Sequence, residues 1–356
     1  MIKQPRRFHF GSLLGLAVIT VLTTLSCSTL WKDYDKKLLE NKEYDDKIKV
    51  TEMAPSAAPE APGAVAAAPA TPSPVGSGPV AAKNKKHSKK TAKKNAAATP
   101  SAPGIAKHEP SLEDGEGYNG RRPLVDPFTP NEKLSYTVSY FAVEAGKFTT
   151  TIGPYVQVNG KKAYHFAYNA RSSSVFSVFY AVDDKAETFV DYDTLVPYSY
   201  TVTARESKQV RDVKTIFNWE TMKVKHWDKK LKKGADKPEE KTLEWDLLPY
   251  SQNVFSVAFY MRTFTMAVGK EFAVRVAHEG QNIIMRAQVV REEKLSTAAG
   301  DMDTWVIKPQ FEINGAFKPV GDVFIWLSKD EHKYIVRVES KIKIGKIVVA
   351  LDKIGG

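Results

Sequence analysis

Cysteine is almost absent: Cys27 is the only one in 356 residues. A domain with no second thiol can form no internal disulfide and no thiolate metal site, so its stability has to come from an ordinary core. Long apolar runs are missing as well. The apolar stretch from Leu13 to Leu25 is too short to span a bilayer comfortably, and Lys3, Arg6 and Arg7 precede it in the basic-then-apolar order of an export signal. Gly-x-Ser-x-Gly elbows, phosphate-cradling glycine loops and dinucleotide fingerprints do not occur. No two of the seven histidines are spaced as in a zinc helix or ribbon. No cofactor, no metal and no enzymatic activity are therefore expected.

What is present begins with the place of Cys27. It follows Thr24-Leu25-Ser26, which resembles a lipobox, so Cys27 is the candidate lipid-attachment residue and residues 1–26 are the signal peptide to be removed. Two or three acyl chains hold a protein at a membrane far better than one. Ser28 follows the cysteine where an aspartate would favour retention at the inner membrane, which points to an outer-membrane protein facing the periplasm.

The net charge of +11 is unevenly placed. Lys3, Arg6 and Arg7 leave with the signal, and Lys83, Lys85, Lys86, Lys89, Lys90, Lys93 and Lys94 form a basic knot in low-complexity sequence. Without them the chain is nearly neutral, and no nucleic-acid partner is expected. The knot reads either as a solubilising patch or as a docking point for an anionic envelope polymer such as peptidoglycan or lipopolysaccharide. Residues 27–52 form a charged post-anchor segment, readable as a short surface helix or as coil. Residues 53–117, rich in alanine, proline and lysine, bury too little to fold and are expected to be a disordered tether. Such a tether spans ~45 Å root-mean-square and ~200 Å drawn out. The remaining 118–356 suit one β-rich domain.

Within that domain the apolar period is two. Leu134, Tyr136, Val138, Tyr140 and Ala142 share one face against Lys133, Ser135, Thr137 and Ser139, as in a half-buried strand. Phe148 to Val158 reads as a second strand, Asn159-Gly160 as a hairpin turn and Ala163 to Arg171 as a third strand. Ten further strand candidates extend to Leu351. One stretch breaks the rhythm: Val254, Val257, Ala258 and Met261 recur at helical spacing after Ser251, a candidate cap. The fold class is all-β, a large curved antiparallel sheet, half-barrel or barrel-like, with one short helix at about 252–262.

Several phrases in this order resemble one bacterial family. They are Glu132-Lys133-Leu134-Ser135-Tyr136, Ala145-Gly146, Phe179-Tyr180-Ala181-Val182-Asp183-Asp184, Tyr192-Asp193, Phe259-Tyr260-Met261-Arg262, Ala299-Gly300 and Trp326-Leu327-Ser328. Together they are similar to the domain of unknown function 3108, from about Pro127 to Ile354. The resemblance implies an exported, β-rich envelope module and carries no catalytic residues.

Two groups of side chains are candidates for function. Asp183, Asp184, Glu187, Asp191 and Asp193 are the densest acidic stretch, readable as turn caps or, through Asp183, Asp184 or Asp191, as the carboxylates of a carbohydrate-active hydrolase. Ser328, Asp330 and His332 lie too close in sequence to converge as a triad. The aromatics fall on both faces of consecutive strands, and Tyr136, Tyr140, Tyr164, Tyr168 and Tyr180 are the candidate ligand face. The preferred reading is a lipid-anchored, non-catalytic module that binds a hydrophobic or glycan component of the envelope. The alternatives are the hydrolase and an assembly factor bridging membrane and peptidoglycan. The sequence leaves the oligomeric state open.

Overall fold

The computed structural model describes residues 40–53 and 125–355, apart from 314–315, 319–321 and 343–344. Cys27, the lysine knot and nearly all of the expected tether lie outside these residues. Seventeen strands and three short helices follow in chain order among the described residues. They are α1 (Lys42–Lys47), β1 (Val50–Glu52), β2 (Lys133–Tyr140), β3 (Val143–Ile152), β4 (Val156–Val158), β5 (Lys161–Ser172) and α2 (Ser174–Ser177). Next come β6 (Val182–Asp191), β7 (Pro197–Glu206), β8 (Gln209–Asn218), β9 (Lys223–Lys232), β10 (Glu239–Asp246), α3 (Ser256–Met261) and β11 (Glu271–His278). The last are β12 (Gln281–Thr297), β13 (Gly300–Ile313), β14 (Ala316–Lys318), β15 (Asp322–Ser328), β16 (Ile335–Ile342) and β17 (Gly345–Gly355). None of the described helices is long and apolar enough to cross a membrane.

The strands form one large antiparallel sheet that does not close into a barrel. Neighbours in sequence pair as hairpins from β5 to β10 and from β11 to β13. β15, β16 and β17 continue that second run, and β17 pairs with β2 to join the two halves. Period-two alternation places one face of nearly every strand inward. Side chains from β3, β5, β6, β11, β12, β13 and β15 share a single apolar cluster with Phe259, Tyr260 and Met261 of α3. The sheet therefore wraps around the helix, which occupies its interior.

Asn159 and Gly160 both have positive φ (52° and 82°), as the two-residue hairpin between β4 and β5 requires. The expected second strand is divided in two. Gly153-Pro154 interrupts it: the Gly153 N–H still donates to the His165 carbonyl at 2.8 Å, but proline has no N–H to continue the ladder. The helix is shorter than its apolar spacing predicts. Gln252 is held extended by a parallel bridge to Val276, its N–H donating to Arg275 O at 2.8 Å, so the helix cannot begin there. Ser251 does not cap it. Asn253 organises the approach, its Oδ1 accepting from the N–H groups of Phe255 and Ser256, each at 2.8 Å.

The post-anchor segment is docked on the domain. Tyr44 of α1 is buried, with its hydroxyl donating to Ser199 Oγ at 3.1 Å. Asp45 pairs with Lys214 at 2.8 Å and Glu43 with Lys225 at 2.7 Å. β1 then adds to β4, and Asn159 receives the Lys49 N–H and donates to Lys47 O. Met53 and Val125 both belong to the described domain, so the length of the expected tether between them does not set the distance from Cys27 to the sheet.

Candidate functional site

Three of the five candidate tyrosines lie within the aromatic interior. Tyr164 and Phe166 alternate inward on β5; Phe166 stacks on Phe259 of α3 with centroids 3.9 Å apart. Phe128 meets Tyr164, Phe166 and Phe259 edge-on at 5.1–5.9 Å. Phe148 bridges Tyr136 and Tyr168 at 5.9 and 6.0 Å. The Tyr164 hydroxyl donates to Asp126, and that of Tyr168 to the carbonyl of Phe255. Burial raises the pKa of all three phenols. Tyr140 and Tyr180 sit apart from this group. Tyr140 packs on Phe141 at the β2–β3 turn, and Tyr180 donates to Glu206 at 2.5 Å. Of the five, Tyr168 meets Phe259 of α3 at 6.0 Å, and it also borders a groove on the sheet.

α3 is fixed by a buried ion pair. Arg262, at its C-terminal end, donates from Nη1 and Nη2 to the two oxygens of Glu132 at 2.6 and 2.8 Å. The same guanidinium reaches Pro127 O at 2.6 Å and His332 O at 2.9 Å. A bidentate pair with these further acceptors is the geometry in which a buried charge is tolerated. Both residues belong to the phrases that carried the family resemblance, and the sequence alone did not show them as partners.

The acidic stretch does not converge. Asp183 pairs with Arg171 at 2.7 Å on the partly exposed face of β6. Asp184 faces the other way and is buried, its Oδ1 accepting from the Arg205 N–H at 2.9 Å. Burial, reinforced by the charge of Glu206, pushes the Asp184 carboxyl up to about 8. Glu187 meets His165 at 3.0 Å. Asp191 caps the turn that follows β6, accepting from the Thr194 N–H and hydroxyl at 2.7 and 2.6 Å, and Asp193 is exposed. Among the described residues no group of three or more histidines and carboxylates could hold a metal ion. His226 and His278 are buried, and burial takes both down to about 4.

Grooves on the outside of the sheet are open and mixed in character. One of about 370 Å³ crosses β3, β5, β6 and β7 and is lined by Thr149, Thr151, Asn169, Lys185, Glu187 and Thr203. Another, of about 340 Å³, lies between the β12–β13 turn and Thr137, Arg337 and Asp352.

Large apolar side chains gather in solvent at one end of the sheet, whereas others such as Val125 and Val268 stand singly. Phe141, Val143, Val175, Val178 and Phe179 are each 61–81% exposed. They come from the β2–β3 turn and from the α2 segment, joined by the Ser173 N–H donating to Ala145 O at 2.8 Å. Ser173 also caps α2, its Oγ accepting from the Phe176 N–H at 3.2 Å. The turn is unusual because Phe141 and Ala142 both have positive φ (50° and 61°) in a position that favours asparagine or glycine. Such a residue costs of order 1 kcal/mol, and an exposed Phe141 recovers little of it by burial. Sequence reasoning passed over Val175 and Val178 and took Phe179 only as part of a family phrase, although three large apolar residues beside a run of serines are the signal of an exposed apolar loop.

The family model described as "Protein of unknown function (DUF3108)" matches residues 135–352. The chain belongs to the DUF3108 family. Among solved structures, a β-barrel-like DUF1849 protein from Brucella abortus aligns at 10% identity and a TM-score of 0.42, covering 64% of this chain and 98% of that one. A candidate exported protein with a YmcC-like fold from Bacteroides fragilis aligns at 7% identity and 0.30, covering 65% and 98%. A candidate lipoprotein from Parabacteroides distasonis aligns at 10% and 0.26, covering 65% and 97%. No curated protein matches this DUF3108 member.

Proposed function

We propose that this DUF3108 protein is a lipid-anchored, non-catalytic module of the bacterial envelope, held at the outer membrane through Cys27, that engages a hydrophobic envelope component. The observation that carries this reading is the end of the sheet where Phe141, Val143, Val175, Val178 and Phe179 stand in solvent. Contiguous exposed apolar surface on a folded domain marks an interaction site. The export-like leader and the lipobox-like phrase before Cys27 support the location. Asp183, Asp184 and Asp191 are engaged in separate interactions, which lends nothing to a hydrolase. The lysine knot at 83–94 remains a second contact for peptidoglycan or lipopolysaccharide in this reading.

A photo-crosslinking residue at position 179, introduced into the full chain in cells, tests it. Adducts to a hydrophobic component from position 179, absent from the same probe at position 185 on the outer face of β6, are the expected result. Equal labelling from both positions overturns the reading.

A further inference from the structure

The docked post-anchor segment and the apolar end bear on each other. Tyr44 is fastened to Ser199, which registers through Phe189 with His165 on β5. His165 lies seven residues before Ser172, where β5 runs into α2. That separation is about 23 Å along the strand. From Cys27 to Glu40, the first described residue of the strap, the chain can stretch at most about 45 Å. At full stretch that segment is longer than the separation along β5, so an anchor at Cys27 can lie level with the apolar end.

The charges behind the apolar residues suit the same neighbour. Lys147 stands directly opposite Arg171 across β3 and β5, and Lys341 opposite Lys346 across β16 and β17. Like charges facing each other across strands are unfavourable unless something anionic offsets them. Carboxylates partly do so: Asp352 and Glu144 for Lys147, Asp183 for Arg171, Glu339 for Lys346. Lys341 is exposed. The ion pairs leave little net charge behind the tip, so what it offers acyl chains is its apolar surface, with Lys341 exposed towards phosphate headgroups above them. Gly345, at φ +116°, leaves room for the Phe141 ring, since a Cβ there would lie 2.7 Å from its Cζ. The ring is thus seated against β17 while still facing outward.

Resting on the envelope reading above, we propose that Phe141, Val143, Val175, Val178 and Phe179 dock onto the phospholipid bilayer that holds the protein's own acyl chains, with the 40–53 strap keeping the tip within reach of it. The partner is a lipid surface in the same membrane as the anchor.

The test uses the full acylated protein reconstituted in phosphatidylethanolamine–phosphatidylglycerol vesicles. Val178→Cys and, as control, Lys185→Cys each carry an environment-sensitive fluorophore, and spin-labelled lipids act as quenchers. At least fivefold stronger quenching at 178 than at 185 is expected, falling severalfold when Tyr44→Ala and Asp45→Asn release the strap. A label at 178 as aqueous as that at 185, on protein that is acylated and vesicle-bound, overturns docking and leaves the envelope reading intact. Unchanged quenching after strap release overturns the role of the strap. Protein lacking acyl chains when isolated from cells removes the envelope reading itself. Crosslinks from position 179 to a protein in cells, with no quenching in vesicles, show that the tip serves a protein partner and overturn the lipid assignment.

Discussion

Glu132 and Arg262 hold one another in an environment that would reject either alone. Removing one partner leaves a buried charge without its counter-ion, whereas replacing both with apolar side chains removes the desolvation cost as well. Glu132→Ala is expected to lower unfolding free energy by about 3–5 kcal/mol, and the double change Glu132→Leu with Arg262→Met by much less. Urea denaturation of the three proteins measures the difference. Asp184 titrates in the opposite sense from an ordinary paired carboxylate. Its folded-state pKa of about 8 lies above the ordinary 3.8, so between those values the folded protein keeps a proton that the unfolded chain releases. Stability from this group therefore falls as pH rises through that window. His226 and His278 act on the acid side: with folded values near 4 against an ordinary 6.5, they cost stability as pH falls from 6.5 towards 4. Asp184→Asn keeps an acceptor for the Arg205 N–H and should flatten the alkaline limb, raising stability at pH 8.5 by a few kcal/mol on the order of the linkage integral. The histidine limb should persist unchanged in denaturation curves taken at pH 4.5, 6.5 and 8.5.

At the scale of elements, Asn253 and Ser251 separate what the sequence suggested from what the chain does. Both are buried, yet Asn253 accepts two backbone N–H groups and donates to Thr188 Oγ1 at 2.8 Å, while Ser251 Oγ has no partner. Asn253→Ala should cost about 1–3 kcal/mol and Ser251→Ala well under 1 kcal/mol, read from thermal unfolding. Strands were legible where apolar and polar residues alternate and one face is buried, as in β2 and β5. β10 was not, because Glu239 and Glu240 are spent on ion pairs with β9 and only Leu243 and Trp245 carry the alternation. The docked strap was equally hidden. Its apolar contribution is Tyr44 and Ile48, and its remaining hold comes from Lys214, Lys225 and Asn159, which lie more than 100 positions away in sequence. The ligand face was drawn from aromatic content alone. Composition says that rings are present, but that Phe166 and Tyr168 meet Phe259 of α3 shows only in the fold.

For the molecule as a whole, one large sheet is built mainly of hairpins between strands that are neighbours in sequence, and the distant pairings are β17 with β2 and β1 with β4. The register of β17 on β2 pairs Ile347 with Tyr140 and Gly355 with Lys133, the full length of β2. Deleting residues 345–355 would leave both β2 and β16 with an unpaired edge, and edges of that length invite association. The truncated protein is expected to lose cooperative unfolding and to sediment as aggregates, which calorimetry and ultracentrifugation would show.

The same β2–β17 seam sets a clock on folding. Synthesis from the N-terminus delivers β2 long before the strand it pairs with, so the two halves of the sheet cannot be joined until β17 has been made.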